Sequence, residues 1–189
     1  MKDQKSSRLF GSLSGYKKPH REIEVKILEI NLKELRKKLE ALGAKKFFEG
    51  EVDALLFDTL DGRMKKSHQT LRLRKAGDRV ELCFKSKNES KEFKIMDEFE
   101  VLTSDFDTTK KILESVGFIC THQSKKHREC YRCGKIKFDI DTYPNIPTYL
   151  EIEAPTEAEV KEYVEKLGYT MQQATNLSAL GVEEYYQKK

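Results

Sequence analysis

Apolar and polar residues alternate with a period of two over most of this chain, interrupted by turn residues and by three or four stretches with helical spacing. Glu22 to Ile30 alternates as a strand. Asn31 is then placed to cap a helix in which Leu32, Leu35, Leu39 and Leu42 share a face, and Gly43 ends it. Strands are predicted at 45–60, 69–76 and 79–88, with turns at Asp61-Gly62 and Gly77-Asp78. A second pass begins with a strand from Lys91 to Leu102. A helix follows over 105–116, with Ile112, Leu113 and Val116 inward, then strands over 119–132, 135–142 and 148–154. Thr156 and Glu159 form a capping box for a helix to Leu167 that Gly168 stops, and a short helix is expected over 178–187. Residues 1–19 carry Lys, Ser and Gly without a sustained period and read as a flexible basic tail, which leaves 20–189 as one domain.

The two passes resemble each other. Glu-Ile-Glu-Val at 22–25, followed by a helix ending Leu-Glu-Ala-Leu-Gly, matches Glu-Phe-Glu-Val at 98–101, followed by a helix ending Leu-Glu-Ser-Val-Gly. Two such halves can face each other and close a barrel, which removes free sheet edges. The expected fold is α+β: an eight-stranded antiparallel β-barrel tunnel flanked by helices. Its charged residues face the lumen, and its apolar exterior lies under the helices.

The charges support that orientation. Glu22-Ile-Glu24-Val-Lys26, Arg72-Leu-Arg74, Lys85-Ser-Lys87, Lys126-His-Arg128, Asp139-Ile-Asp141 and Glu151-Ile-Glu153 each place charges at alternate positions. Residues i and i+2 of a strand share a face, so every segment projects a charged pair one way. A single pair of this kind is ordinary on a solvated sheet face. A solvated face normally mixes signs, however, because like charges side by side repel. An ordered series, with carboxylates at both ends and cations between, calls for a ligand that relieves the repulsion: divalent metal beside a polyanion such as triphosphate.

Composition narrows the setting. The 189 residues include 36 Lys and Arg against 32 Asp and Glu, for a net charge of +4, with no concentrated basic stripe, so nucleic acid is not an expected partner. No run approaches the ~20 apolar residues of a membrane span, and the basic N-terminus lacks the apolar run of a signal peptide, so a cytoplasmic location is expected. Cys83, Cys120, Cys130 and Cys133 are too sparse for a disulfide scaffold. Cys130-Tyr-Arg-Cys133 with His127 and His122 is a weak zinc or redox signal, since a zinc site usually shows two such pairs.

The ordered charged set, opening on Glu22-x-Glu24-x-Lys26 and closing on Leu150-Glu-Ile-Glu153, resembles the CYTH superfamily, the triphosphate tunnel metalloenzymes, over residues 20–185. The resemblance implies a tunnel that binds triphosphate-containing small molecules with Mg²⁺ or Mn²⁺. By that resemblance Glu22, Glu24, Asp141, Glu151 and Glu153 are metal ligands. Lys26, Arg72, Arg74, Lys85, Lys87, Lys126 and Arg128 hold the phosphates, and Glu22, Glu24, Lys26 and Arg128 form the catalytic set. The implied activity is hydrolysis of inorganic triphosphate, a nucleoside triphosphate or thiamine triphosphate. The alternatives are a class IV adenylyl cyclase and a non-catalytic triphosphate- or polyphosphate-binding module. The family's cyclases tend to carry a Gly-Leu-Gly turn where this chain has Tyr143-Pro-Asn-Ile-Pro147-Thr-Tyr149, which weighs against cyclisation. A monomer or homodimer is expected.

Overall fold

The computed structural model describes residues 20–88, 90 and 92–189, so the expected N-terminal tail and the first residue of the 91–102 strand lie outside the described residues. The elements run β1 (His20–Ile27), α1 (Leu32–Ala41), β2 (Lys45–Thr59), α2 (Arg63–Lys66), β3 (Gln69–Ala76), β4 (Arg79–Asn88) and β5 (Lys94–Thr103). They continue with α3 (Phe106–Ser115), β6 (Phe118–Cys133), β7 (Ile136–Thr142), β8 (Tyr149–Ala154), α4 (Glu157–Lys166), a 3₁₀ turn (Met171–Gln173), β9 (Ala174–Thr175) and α5 (Ala179–Gln187).

Eight antiparallel strands close into a barrel in the order β1-β5-β4-β3-β2-β6-β7-β8, with β8 returning to β1. β1 joins both neighbours: His20–Glu24 pairs with β5 and Ile23–Ile27 with β8, while the short β9 pairs with Lys26 and Ile27. Exchanging β1–β4 for β5–β8 maps this circle onto itself, so the internal repeat in the sequence is a repeat of the barrel. β1 against β5 and β2 against β6 are the two seams where corresponding strands meet.

Local chemistry sets the helix ends. Asn31 accepts a hydrogen bond from the Glu34 amide at 3.2 Å to cap α1, and Gly43 leaves the helix at φ 72°, a left-handed conformation that glycine adopts without strain. At α4 the Glu159 amide donates to Thr156 Oγ1 at 3.2 Å. The Glu159 carboxylate returns to the Thr156 hydroxyl rather than to its backbone amide. The fragment α2 was not foreseen. It rests on Asp58, whose carboxylate accepts from the amides of Thr59, Met64 and Lys65 at 2.7, 2.8 and 3.0 Å.

Leu35 and Leu39 of α1, with Val160 and Val164 of α4, pack on Val25, Phe138, Ile140 and Ile152, the outward residues of β1, β7 and β8, to form the larger core. Full burial of one such leucine contributes about 1.5–3 kcal/mol. A second core places Leu113 of α3 on Leu55, Phe57, Leu73 and Val80. Here one expectation fails: Ile112 and Val116 are 57% and 68% exposed. The inward stripe runs through Phe106, Thr109 and Leu113, and Ile112 lies ~100° around the axis from Leu113.

Candidate active site

Strand parity decides what lines the tunnel. On β1, Ile23, Val25 and Ile27 face the covering helices, so Glu22, Glu24 and Lys26 face inward, buried. On β8, Leu150 and Ile152 point outward, while Glu151 and Glu153 point inward. Pairing of the two strands sets Glu24 opposite Glu153 and Lys26 opposite Glu151. The Lys26 ammonium sits between two carboxylates, 2.6 Å from Glu24 Oε1 and 2.8 Å from Glu151 Oε2. Lys94 of β5 donates to the same Glu24 oxygen at 2.8 Å. Burial and the nearby Glu151 push the Glu24 pKa up, but Lys26, Lys94 and Lys85 prevail and hold it at about 2. Glu22 goes the other way: burial, then a hydrogen bond with Glu98, raises it to about 8 against the pull of Lys85. Two carboxylates of one strand are thus pushed in opposite directions by their surroundings.

Across the barrel, β6 and β7 supply the strongest cationic grip. Arg128 donates through Nε to Asp141 Oδ1 at 2.6 Å, through Nη2 to Asp141 Oδ2 at 2.7 Å and through Nη1 to Asp139 Oδ2 at 2.6 Å. This is the forked geometry a guanidinium uses for carboxylates and phosphates alike. Lys126 Nζ lies 2.6 Å from Asp141 Oδ2, and burial, helped by Arg128, lowers its pKa to about 8 despite that carboxylate. Lys137 bridges Asp139 at 2.9 Å and Glu153 at 3.4 Å, tying this wall to the glutamates of β8.

β3, β4 and β5 complete the lining. Arg74 and Arg72 reach Glu81 Oε1 at 2.7 and 3.0 Å, Lys85 contacts both Glu22 and Glu98, and Cys83 Sγ donates to Glu98 Oε1 at 2.6 Å. Burial pushes the Cys83 thiol up to about 12, so it stays protonated. Glu81, Glu98 and Glu100 bring carboxylate oxygens within 4.8 Å of one another, an oxygen-donor cluster of the kind hard divalent cations take. Val52, Ala54 and Leu56 of β2 face the lumen, opposite Lys126, Arg74 and Arg72.

Glu22, Glu24, Lys26, Arg72, Arg74, Lys85, Lys126, Arg128, Asp141, Glu151 and Glu153 thus line one lumen. Lys87 shares the inward face of β4 but is exposed. Both oxygens of Asp141 are engaged by cations. Glu98 and Glu100, the second-half echo of the first motif, also face inward. Glu81 and Lys94 escaped the sequence reading, although the parities Glu81-x-Cys83-x-Lys85 and Lys94-x-Met96-x-Glu98 carry them. The cysteine pair forms neither a zinc site nor a disulfide. Cys130 pairs with the inward Asp139, whereas Cys133 lies on the outer face, 3.4 Å from the Leu42 carbonyl, and His127 also turns outward toward Glu49. Three residues apart on a strand means opposite faces.

One end of the tunnel is covered by α5. Val182, fully buried, packs on Tyr143 and Tyr149 together with Leu28, Ile146, Leu177 and Tyr186. Tyr186 donates to Glu29 just after β1 at 2.9 Å, and Glu183 lies 3.4 Å from His122 on β6, so the helix spans the mouth from one wall to another.

A family model for the CYTH domain matches residues 20–186. The chain belongs to the CYTH family. Solved structures similar to this CYTH protein include the PH1012 protein from Pyrococcus horikoshii OT3, with a TM-score of 0.74, 22% identity, and coverage of 85% of this chain and 98% of that one. An adenylate cyclase candidate from Vibrio parahaemolyticus superposes with a TM-score of 0.79 at 14% identity, over 88% of this chain and 99% of that one. HpAC1 from Hippeastrum, described as having a dominant triphosphatase activity, gives 0.62 at 18% identity, over 89% and 96%. At these identities the likeness is one of fold. No curated protein matches the chain. Among the described residues of this CYTH protein, no helix is long and apolar enough to cross a membrane.

Proposed function

We propose that this CYTH protein hydrolyses a triphosphate-containing small molecule with the help of Mg²⁺ or Mn²⁺. The observation that carries this reading is the division of one lumen into a glutamate wall, from β1 and β8, and facing cationic walls that carry Arg128, Lys126, Arg72, Arg74 and Lys85. The glutamates suit a hard cation. Glu22 feels repulsion from Glu153, and Glu24 from Glu151, in a buried setting where a divalent ion would relieve both. Bound there, such an ion supplies Lewis-acid stabilisation of phosphoryl oxygens and lowers the pKa of water.

The chain's own part is positioning and charge neutralisation, which dominate phosphoryl transfer. Arg128 offers a fork that already grips two carboxylates and can exchange them for phosphate oxygens. Lys126, Lys85 and Arg72 add positive charge where the leaving group becomes negative. Lys26 holds Glu24 and Glu151 in place. HpAC1, with the same fold and a named triphosphatase activity, adds support for hydrolysis ahead of cyclisation.

The test is orthophosphate release from inorganic triphosphate, ATP and thiamine triphosphate with Mg²⁺ or Mn²⁺, comparing the wild type with Glu24→Ala and Arg128→Ala. The reading expects turnover to fall far more than binding in Glu24→Ala. Intact turnover in that variant would refute the metal assignment. Cyclic AMP and pyrophosphate from ATP would replace hydrolysis by cyclisation, and binding without any product would replace it by a binding module.

A further inference from the structure

The covered end of the tunnel holds two donors that the charged lining does not use. Tyr149 is fully buried and Tyr143 is 8% exposed, and both hydroxyls lack a hydrogen-bond partner. Their rings stack at 6.1 Å between centroids and 20° between planes, which sets the two phenols side by side. Tyr149 pairs with Asp141 across β7 and β8, so its side chain enters the same lumen as Arg128. The Lys126 ammonium lies 5.4 Å from the centre of the Tyr143 ring. Asp141 cannot satisfy the hydroxyls easily, because it already accepts three hydrogen bonds from Lys126 and Arg128. A phenol is a neutral O–H donor at neutral pH, so each tyrosine can donate to an anionic oxygen.

A buried hydroxyl without an acceptor costs about 1–3 kcal/mol, and a pair beside two cations is an uncommon arrangement to leave unused. The acceptor that fits donors and cations together is an anionic oxygen. Val182 and its apolar neighbours pack behind the rings, which favours an anion with nothing attached on that side. We propose that Tyr143 and Tyr149 recognise the free terminal phosphate of the substrate, which seats against the covered end and leaves any esterified end at the opposite mouth. This rests on the triphosphatase reading and deepens it by naming the residues that set the direction in which the substrate lies in the tunnel.

The test uses Tyr143→Phe, Tyr149→Phe and the double variant, each of which removes only a hydroxyl. Calorimetry with inorganic triphosphate should show each single variant weakened about tenfold, the loss typical of a hydrogen bond to a charged group, and the double variant more. ATP should follow the same order, and a dinucleoside triphosphate, blocked at both ends, should not bind. Thermal unfolding without ligand should be unchanged or shifted upward, because the lost hydroxyls had no partner. Wild-type affinity in the double variant, a clear fall in its melting temperature, or binding of the blocked analogue would each overturn the proposal. Failure of the wild type to bind inorganic triphosphate would instead overturn the reading on which it rests.

Discussion

Lys26→Met is the perturbation that separates fold from site most sharply. Methionine nearly conserves the volume of lysine, so packing is preserved and the ammonium is lost. That ammonium is 1% exposed and lies 2.6 and 2.8 Å from the carboxylates of Glu24 and Glu151, which are left facing each other with less cationic support. Removing one partner of a buried ion pair costs about 3–5 kcal/mol, because the remaining charge stays desolvated. For a chain of this size 1 kcal/mol is worth about 2–4 °C, so the melting temperature should fall by about 6–20 °C without divalent ions. Millimolar Mg²⁺ should then raise the melting temperature of the variant more than that of the wild type, since a cation binding the folded state alone stabilises it by mass action. Scanning calorimetry with and without Mg²⁺ measures both quantities. A loss below about 1 kcal/mol, or equal Mg²⁺ increments in the two proteins, would refute the reasoning.

Two further outcomes test the frame around the tunnel. Glu129, on the outer face of β6, accepts from Arg36 Nη2 at 2.5 Å and from Tyr131 at 2.8 Å and pairs with Lys46 at 2.8 Å. Burial opposes its ionisation, but these partners lower its pKa from 4.5 to about 2. That corresponds to roughly 3 kcal/mol, which solvent screening around Arg36 and Lys46, 46% and 35% exposed, reduces to about 1–2 kcal/mol. Because the folded pKa is depressed, this stability is present above pH 4.5 and is lost as pH falls through about 2. Urea unfolding should therefore show Glu129→Gln destabilised at pH 7, with a gap from wild type that shrinks by more than half at pH 3. On α3, Leu113→Ala should cost about 2–5 kcal/mol, while Ile112→Ala, 57% exposed, should stay within about 0.5 kcal/mol by the same assay.

Much of this arrangement is legible in the sequence because a strand cannot change its parity. Once Ile23 and Val25 are outward, Glu22, Glu24 and Lys26 have no other face to occupy, and the same holds for Asp139 and Asp141 around Ile140. Like-signed pairs stand out against an ordinary solvated face. Glu81 and Lys94 have no like charge two positions away, and the signal that found the pairs passed over them. The face of α3 was misread because Ile112 and Val116 are apolar yet miss the stripe through Phe106 and Leu113, which only the barrel surface selects. Tyr143 reads as a turn residue and Tyr149 as the start of the 148–154 strand. Both pack on Val182, more than thirty residues later, and no local pattern announces a contact at that separation. The two-residue β9 likewise exists only because β1 has a free stretch at Lys26 and Ile27.

The central claim is that this lumen is a metal-dependent site for triphosphate hydrolysis. The most direct test is a ³¹P NMR time course of inorganic triphosphate with purified wild type and with Glu24→Gln, each with Mg²⁺ and with excess chelator. The wild type with metal should convert it to pyrophosphate and orthophosphate, and neither the chelated enzyme nor the variant should convert any. Hydrolysis that persists in chelator, or that proceeds at the wild-type rate in Glu24→Gln, would contradict it.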